Sequence, residues 1–346
     1  MKKRTGFILF LLMAFAGCVV SNSPAGRMEK KSVIAEQESL YECYRIRKIP
    51  VIDGKLDDSC WQSIPAAKCF FLLGGREFAM VKPSFFKAGW DNENFYFGFV
   101  AQEPETQKIT AKRQSGDKFL WTEDSVELFL FPPETDAWQF IVNAIGSRHN
   151  GKGDTGATTP LANWQTASFI GQNFWPIEVK IPFKIFGKTP VDGEQWKINV
   201  GRNNLTGPVE ERVSCWPKIR KSFHEIENYG ALIFKKGLLN QETVIEVENR
   251  INAVRYYMLK NMVVELVSAY NNEYKNYLKK ASSIPSLSTD AEELKNIWTF
   301  AVDYYEKTKN KEINLEEIYR VLLKTKGLKE KTETLKQRIE LESLFE

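Results

Sequence analysis

Histidine is scarce in this sequence, and its scarcity limits the chemistry that the chain can carry out. The 346 residues include two histidines, His149 and His224. A metal centre built from several histidines is therefore excluded, and a Ser-His-Asp triad could use only one of these two side chains. A haem-carrying or electron-transfer domain is disfavoured for the same reason, and the chain has no CxxCH motif. No cofactor is expected.

Cysteine is also sparse and follows no metal-binding spacing. Five cysteines are present, and no two of them form a CxxC pair. Four of them, Cys43, Cys60, Cys69 and Cys215, lie in the region rich in predicted strands. One or two disulfides are compatible with these four residues, and the sequence cannot distinguish the three ways of forming two bridges.

No apolar run is long enough to span a bilayer as a helix. The run at residues 6–16 has eleven residues and follows a basic start, MKKR, which is the arrangement of a secretory signal peptide. It ends in FAGC, which is similar to a bacterial lipobox with phenylalanine in place of the usual leucine. We therefore expect residues 1–17 to be a lipoprotein signal peptide and Cys18 to be lipidated, so that the exported protein is anchored to a membrane of the cell envelope. Ordinary cleavage that removes Cys18 or leaves it free is the alternative.

The chain has almost no net charge once residues 1–17 are removed. Residues 1–17 carry three basic groups and no acidic one, so the remainder has 45 basic residues against 44 acidic ones. A protein that binds nucleic acid needs a basic face, and we expect no nucleic-acid partner.

The rest of the chain divides into a short tether and two regions of different periodicity. Residues 18–40 are small, polar and aperiodic, which is typical of a tether. Residues 41–236 contain nine or ten short runs rich in aromatic and β-branched residues, separated by turn residues. With no long helix between them, these runs predict an antiparallel, jelly-roll-like β-sandwich that folds by itself.

A helical region is predicted after the strands, at residues 237–346. Residues 241–278 repeat apolar side chains in steps of three and four, which indicates an amphipathic helix. The signals for further helix boundaries are two capping boxes and a glycine: Thr289 with Glu292, Asn314 with Glu317, and Gly327. Three or four helices are expected to pack as a bundle or against the sandwich, and a coiled coil that binds a protein partner is the alternative.

One strand combines a tryptophan with three acids, in the stretch LWTEDSVELFL (residues 120–130). A glycosidase needs two carboxylates that face each other across a cleft at roughly 5–9.5 Å. Glu123, Asp124 and Glu127 are neighbours on one strand, and no second cluster of acids stands out, so we expect no enzyme. Alternation along the strand sends Glu127 to the face opposite the core, where it can lie beside Trp121 if the entry to the strand is extended. Asp124 has the parity of the core face and is expected to order the entry loop.

Five motifs in a fixed order resemble the family 9 carbohydrate-binding modules. They are IPVIDGKLDDSCW, KAGWDNENFYFGF, LWTEDSVELFL, WKINVGRN and FHEIENYGALIF. The resemblance covers the whole strand region and implies a β-sandwich that binds sugars without cleaving them, as an accessory to glycoside hydrolases that degrade polysaccharides. A structural or partner-binding lipoprotein whose sandwich no longer binds sugar is the alternative.

The resemblance also implies the residues of a sugar site. Trp121 matches the first of two tryptophans that sandwich a terminal sugar, and Glu127 matches the acid that follows it. Phe223 replaces the second tryptophan, with Trp216 nearby as a substitute. The polar positions of the expected site are Asn199, Ile141 in place of an arginine, and Arg202, which is expected to bind a sugar hydroxyl or a loop carboxylate.

An acidic loop near the start of the strand region is a candidate for structural calcium. Asp53, Asp57 and Asp58 supply oxygen ligands of the type that calcium prefers, although their spacing is not diagnostic.

Overall fold

The computed structural model describes residues 39–153 and 157–342. The predicted signal peptide, Cys18 and nearly all of the predicted tether lie outside the described residues. Within the described ranges, no helix is both long and apolar enough to cross a membrane.

A single mixed sheet of fourteen strands organises the described residues before position 236. The strands are β1 Leu40–Arg45, β2 Ala66–Ala67, β3 Phe71–Leu72, β4 Ser84–Trp90, β5 Asn94–Gln102, β6 Ser125–Phe131, β7 Trp138–Asn143, β8 Arg148–Lys152, β9 Ala157–Thr158, β10 Gln165–Ser168, β11 Phe174–Pro182, β12 Gln195–Asn203, β13 Val213–Cys215 and β14 Gly230–Lys235. Their order is β10-β11-β5-β4-β1-β14-β12-β6-β7-β8-β9, with β2 paired to β4 and β13 joining β12 to β3. A short helix, α1 (Ser59–Gln62), precedes β2.

The sheet curls around one apolar core. Phe97 and Phe99 of β5 lie in the same buried cluster as Val126 and Leu128 of β6, although β5 and β6 are far apart in the strand order. Strands that are distant within one sheet can share a core only if the sheet folds back on itself. The prediction of a mainly β domain followed by helices is confirmed.

The prediction of a strictly antiparallel sheet is wrong at β1. This strand runs parallel to both of its neighbours: Leu40 is aligned with Ala231 of β14, and Tyr44 with Gly89 of β4. The connection over residues 46–83 is long enough for the chain to return to the same end of the sheet before β4 begins, as a parallel pair requires. Side-chain alternation is the same in both strand directions, so the sequence could not show this pairing.

Helices account for most of the described residues after position 240. They are α2 Gln241–Ala269, α3 Lys275–Ala281, α4 Ser288–Thr308, α5 Leu315–Lys324 and α6 Leu328–Glu342. A π-helical turn at Tyr270–Tyr274 joins α2 to α3. The long helix expected over residues 241–278 is thus present, with one irregular turn.

Two of the three predicted helix boundaries are confirmed. The side chain of Asn314 accepts hydrogen bonds from the first turn of α5, and Gly327, with φ of +72°, separates α5 from α6. The third boundary is wrong, because α4 begins at Ser288 and Thr289 already lies inside its first turn. The residue before α4 is the buried Leu287, which makes no side-chain cap, so packing and not capping sets this helix start.

Helix α2 packs directly on the sheet domain. Val244, Val247 and Ile251 belong to the main core cluster. Asn252 donates a 2.8 Å hydrogen bond to the carbonyl oxygen of Ala66 in β2. The first helix of the C-terminal region therefore completes the core of the sandwich.

The other helices cover one another and the outer side of β3. One cluster joins α2, α4 and α5 to Phe71 and Phe78, and another joins α2, α3, α4 and α6 around Trp298. A coiled-coil partner would find these apolar faces already covered.

The four cysteines in the described ranges are free and buried. Cys43, Cys60, Cys69 and Cys215 lie in four different apolar clusters. The disulfides that the sequence leaves open are therefore not formed.

Candidate functional site

A cleft of about 570 Å³ opens on the outer face of β6, β7 and β12. Lys118, Phe119 and Trp121 form one wall, and residues 221–224 form a second wall. The side chains between these walls include Glu127, Gln139 and Asn203.

Glu127 is the acidic group of the floor, and its position follows from strand alternation. Val126 and Leu128 point into the core, so Glu127 points outward. One of its carboxylate oxygens accepts a 2.6 Å hydrogen bond from Gln139 Nε2, and the other accepts a 2.8 Å bond from Asn203 Nδ2. Burial raises the pKa of Glu127, and the two amide hydrogen bonds oppose this effect. Each carboxylate oxygen keeps a lone pair with which it can accept a hydrogen bond from a ligand.

Trp121 forms the aromatic part of the first wall. It lies in a 3-10 turn, Leu120–Thr122, whose first residue is fully buried while the indole of Trp121 is 49% exposed. Phe119 in the same wall is 44% exposed. The expected extended entry to β6 is therefore a helical turn, and Trp121 and Glu127 nevertheless line the same cleft. The exposed rings offer flat apolar faces beside a hydrogen-bonding floor.

The other two acids of this segment hold loops together. Glu123 accepts hydrogen bonds from the backbone N–H groups of residues 112–113. Asp124 accepts hydrogen bonds from the N–H groups of Thr110 and Leu205. Asp124 thus orders the entry loop as its parity predicts, and both carboxylates fix the wall that carries Trp121.

Phe223 lines the second wall, and Asn199 holds it in place. The Phe223 carbonyl oxygen accepts hydrogen bonds from Asn199 Nδ2 at 3.0 Å and from the Tyr229 hydroxyl at 2.8 Å. The Phe223 ring lies over Gly201, where a Cβ atom would come within 2.4 Å of it. Asn199 is fully buried and does not line the cleft, so it is a positioning residue.

Trp216 does not lie in the cleft, in contrast to the expectation that it substitutes for a second tryptophan. It is fully buried in the main core, where its ring meets Phe86 edge-on at 5.2 Å. A ligand on the outer face of the sheet cannot reach it. Large aromatic residues are the usual filling of such a core, and this accounts for its position.

Arg202 is also absent from the cleft. Its guanidinium is buried on the core side of β12, donates to the carbonyl oxygen of Lys82 at 2.7 Å, and lies 3.5 Å from a carboxylate oxygen of Glu103. Burial lowers the pKa of Arg202 to about 10, and Glu103 opposes this effect. Of the two predicted roles, the structure shows the pairing with a loop carboxylate.

Several polar residues that line the cleft were not among the site residues predicted from the sequence, and they include Gln139, Asn203 and His149. Gln139 lies two positions before Ile141 on β7, so alternation places both on the outer face, and Ile141 does line the floor. Asn203 follows Asn199 by an even number of positions on β12, so alternation along the strand could have placed both residues on the same face. Burial lowers the pKa of His149, so this imidazole is neutral at pH 7.

The acidic loop considered for calcium has other partners in the structure. Asp53 forms a 2.9 Å ion pair with Lys55, and Asp58 accepts a hydrogen bond from the Val51 N–H group. In the described ranges, no group of three or more His, Cys, Asp or Glu side chains is placed to hold a metal ion.

Solved structures from two organisms are similar to part of this chain. One is a protein from Bacteroides uniformis ATCC 8492 that is provisionally described as carbohydrate-binding; it is 15% identical over 57% of this chain and 99% of its own, with a TM-score of 0.47. Two others are a family 9 carbohydrate-binding module from Caldicellulosiruptor kristjanssonii in complex with cellotriose and with glucose. They are 17% and 16% identical over 57% of this chain and over 94% and 98% of their own, with TM-scores of 0.42 and 0.43.

Comparison with curated proteins gives no match. The family model described as carbohydrate family 9 binding domain-like matches residues 52–237, which is more than half of the chain and includes every side chain that lines the cleft. It describes a binding domain and not a catalytic one. The chain belongs to the carbohydrate family 9 binding domain-like family.

Proposed function

We propose that the cleft binds a β-linked polysaccharide or oligosaccharide without cleaving it. The observation that carries this proposal is the exposed Trp121 indole beside Glu127, whose carboxylate is held by Gln139 and Asn203. A flat indole stacks on the C–H face of a pyranose ring, and a fixed carboxylate accepts hydrogen bonds from sugar hydroxyls. Membership of a family of carbohydrate-binding domains supports the same conclusion.

The acids of the cleft support binding and not hydrolysis. Glycoside hydrolysis uses two carboxylates across the scissile bond. Among the described residues that line the cleft, Glu127 is the single carboxylate. Glu123 and Asp124 are already engaged by backbone N–H groups. A bound sugar would thus be oriented by Glu127 but would meet no second carboxylate among the described residues that line the cleft.

The direct test is titration calorimetry of the purified protein with β-linked oligosaccharides, cellotriose among them, and with the corresponding polysaccharides on affinity gels. We expect saturable binding to at least one of them. Failure to bind any member of the panel would favour a structural lipoprotein whose sandwich has lost its ligand.

Replacement of Glu127 provides a sharper test of the floor. Glu127→Gln keeps the shape but loses charge-assisted acceptance, so we expect affinity to fall by about 1 kcal/mol, or about fivefold. Because burial raises the pKa of Glu127, acid should protonate it before an ordinary glutamate. Wild-type affinity should therefore be full above this pKa and decline as the pH falls through it, whereas the Gln variant should lack this decline.

The matched control for this change is Glu246→Gln, on an exposed position of α2. It removes one negative charge outside the cleft and should leave both the affinity and its pH profile as in the wild type. Equal affinities of the wild type and Glu127→Gln at all pH values would show that the carboxylate does not contact the ligand.

We further propose that the protein is exported and anchored to a membrane by a lipid on Cys18, where it captures polysaccharide for glycoside hydrolases. The signal-like start and the FAGC sequence support this proposal. In the bacterial cell, Cys18→Ala should move the protein from the membrane fraction to the soluble fraction. A wild-type protein found unmodified and soluble would contradict the anchor but not the sugar site.

A further inference from the structure

Each wall of the cleft carries a lysine in addition to its aromatic side chain. Lys118 belongs to the wall of Trp121, and Lys221 belongs to the wall of Phe223. The ammonium group of Lys118 lies 5.0 Å from the centre of the exposed Phe119 ring, which keeps the charge beside the mouth of the cleft.

These two ammonium groups have no acidic partner within the described ranges. The nearest acid in sequence to Lys118 is Asp117, which forms a 2.8 Å ion pair with Arg113. The acid close to Lys221 is Glu225, whose carboxylate accepts hydrogen bonds from backbone N–H groups of residues 220–222. The positive charges of Lys118 and Lys221 at the rim are therefore available to a ligand.

The floor carries a charge of the opposite sign. Glu127 is the carboxylate there, and the neighbouring His149 is neutral because burial lowers its pKa. A ligand that carries a negative group would be repelled by Glu127 and attracted by Lys118 and Lys221. The charged group would thus lie at the rim, and the uncharged hydroxyls would lie at the floor.

We propose that the cleft prefers sugars that carry a negative charge, as a carboxylate or a sulfate ester, with this group placed at the rim, where Lys118 and Lys221 line the cleft. The inference rests on the proposed sugar-binding function and adds the chemical class of the ligand. A neutral sugar would satisfy Trp121 and Glu127 but would leave both ammonium groups without a partner, so the two lysines would set specificity for charge.

The test compares three trimers of matched length and linkage in titration calorimetry: cellotriose, the corresponding β-1,4-linked glucuronic acid trimer, and sulfated cellotriose. Exposed ion pairs are individually weak, so we expect a charged trimer to bind about tenfold more tightly than cellotriose at low salt. The preference should shrink in high salt because screening weakens exposed charge pairs. Tighter binding of the glucuronic acid trimer would identify a carboxylate as the preferred charged group, and tighter binding of the sulfated trimer would identify a sulfate ester.

Lys118→Gln and Lys221→Gln should each reduce the preference for a charged trimer over cellotriose by about threefold. Lys329→Gln, at an exposed position of α6, removes the same charge at a residue that does not line the cleft, and it should change neither affinity. If cellotriose binds as tightly as the charged trimers or more tightly, and the lysine variants do not change the affinity for the charged trimers, this inference is overturned. The proposed sugar-binding function would remain intact. Binding of none of the trimers would overturn both.

Discussion

A chain that ends at Leu238 should lose most of the stability of the sheet domain, although every strand is still present. Val244, Val247 and Ile251 of α2 are buried in the same core as the strands. Burying an aliphatic side chain of this size contributes about 1.5–3 kcal/mol. The loss of all three is comparable to the whole stability of an ordinary domain, about 5–15 kcal/mol.

The same deletion removes polar partners that the sheet domain needs. Glu248 accepts a 2.8 Å hydrogen bond from the Ala66 N–H group, and Asn252 bonds the Ala66 carbonyl oxygen. Arg255, fully buried, donates to the carbonyl oxygen of Trp216 and lies 4.5 Å from the centre of its ring. Without α2, these backbone groups would need water as a partner at the edge of an exposed apolar surface.

Denaturant unfolding followed by tryptophan fluorescence measures this effect. A chain that ends at Ala281 keeps the contacts of α2 with the sheet and is the appropriate comparison. We expect it to unfold cooperatively, and the chain that ends at Leu238 to show a broad transition or none. An unchanged midpoint after removal of α2 would mean that the strand domain folds alone, as the sequence predicts.

Sequence patterns identified the elements but not their partners. The three- and four-residue spacing from Val244 onward shows that α2 has an apolar face, yet it contains no information on which surface that face covers. Asn252 and Arg255 are polar residue types, yet both are fully buried. Their positions depend on the contact with β2 and with Trp216, which only the folded chain defines.

The candidate site was predictable where strand alternation decides the outcome. Alternation placed Glu127 on the outer face of β6, and the structure has it there, lining the cleft. It equally places Gln139 and Asn203 outward, but their convergence on Glu127 requires the pairing of β6 with both β7 and β12. Trp216 is misleading for a different reason: tryptophan serves both as a core residue and as a binding surface, and its type alone cannot separate the two.

Trp121→Ala is expected to reduce sugar affinity by about ten- to a hundredfold while leaving the fold intact. Loss of a stacked aromatic costs about 1–3 kcal/mol, by analogy with bases stacked on aromatic side chains. The indole is 49% exposed and lies outside the apolar clusters, so its removal creates no cavity in a core. Trp121→Phe keeps part of the flat surface and should lose less affinity.

Trp61→Ala is the matched contrast for this prediction. Trp61 is 2% exposed, packs with Tyr96, and donates a 2.7 Å hydrogen bond to the buried carboxylate of Glu178. Its removal should cost about 3–5 kcal/mol of stability, because it leaves both a cavity and a carboxylate without one of its donors. Thermal melts measure that loss, and calorimetric titrations with the bound oligosaccharide measure affinity.

Trp121→Ala should therefore lower the affinity for sugar but not the stability of the fold, whereas Trp61→Ala should lower the stability. A melting temperature that falls as far in Trp121→Ala as in Trp61→Ala would show that Trp121 supports the fold, and the wall of the cleft would need another explanation. An unchanged affinity in Trp121→Ala, with wild-type stability, would show that the ligand does not touch this wall. A lower affinity at wild-type stability would follow only if the exposed indole is part of the binding surface.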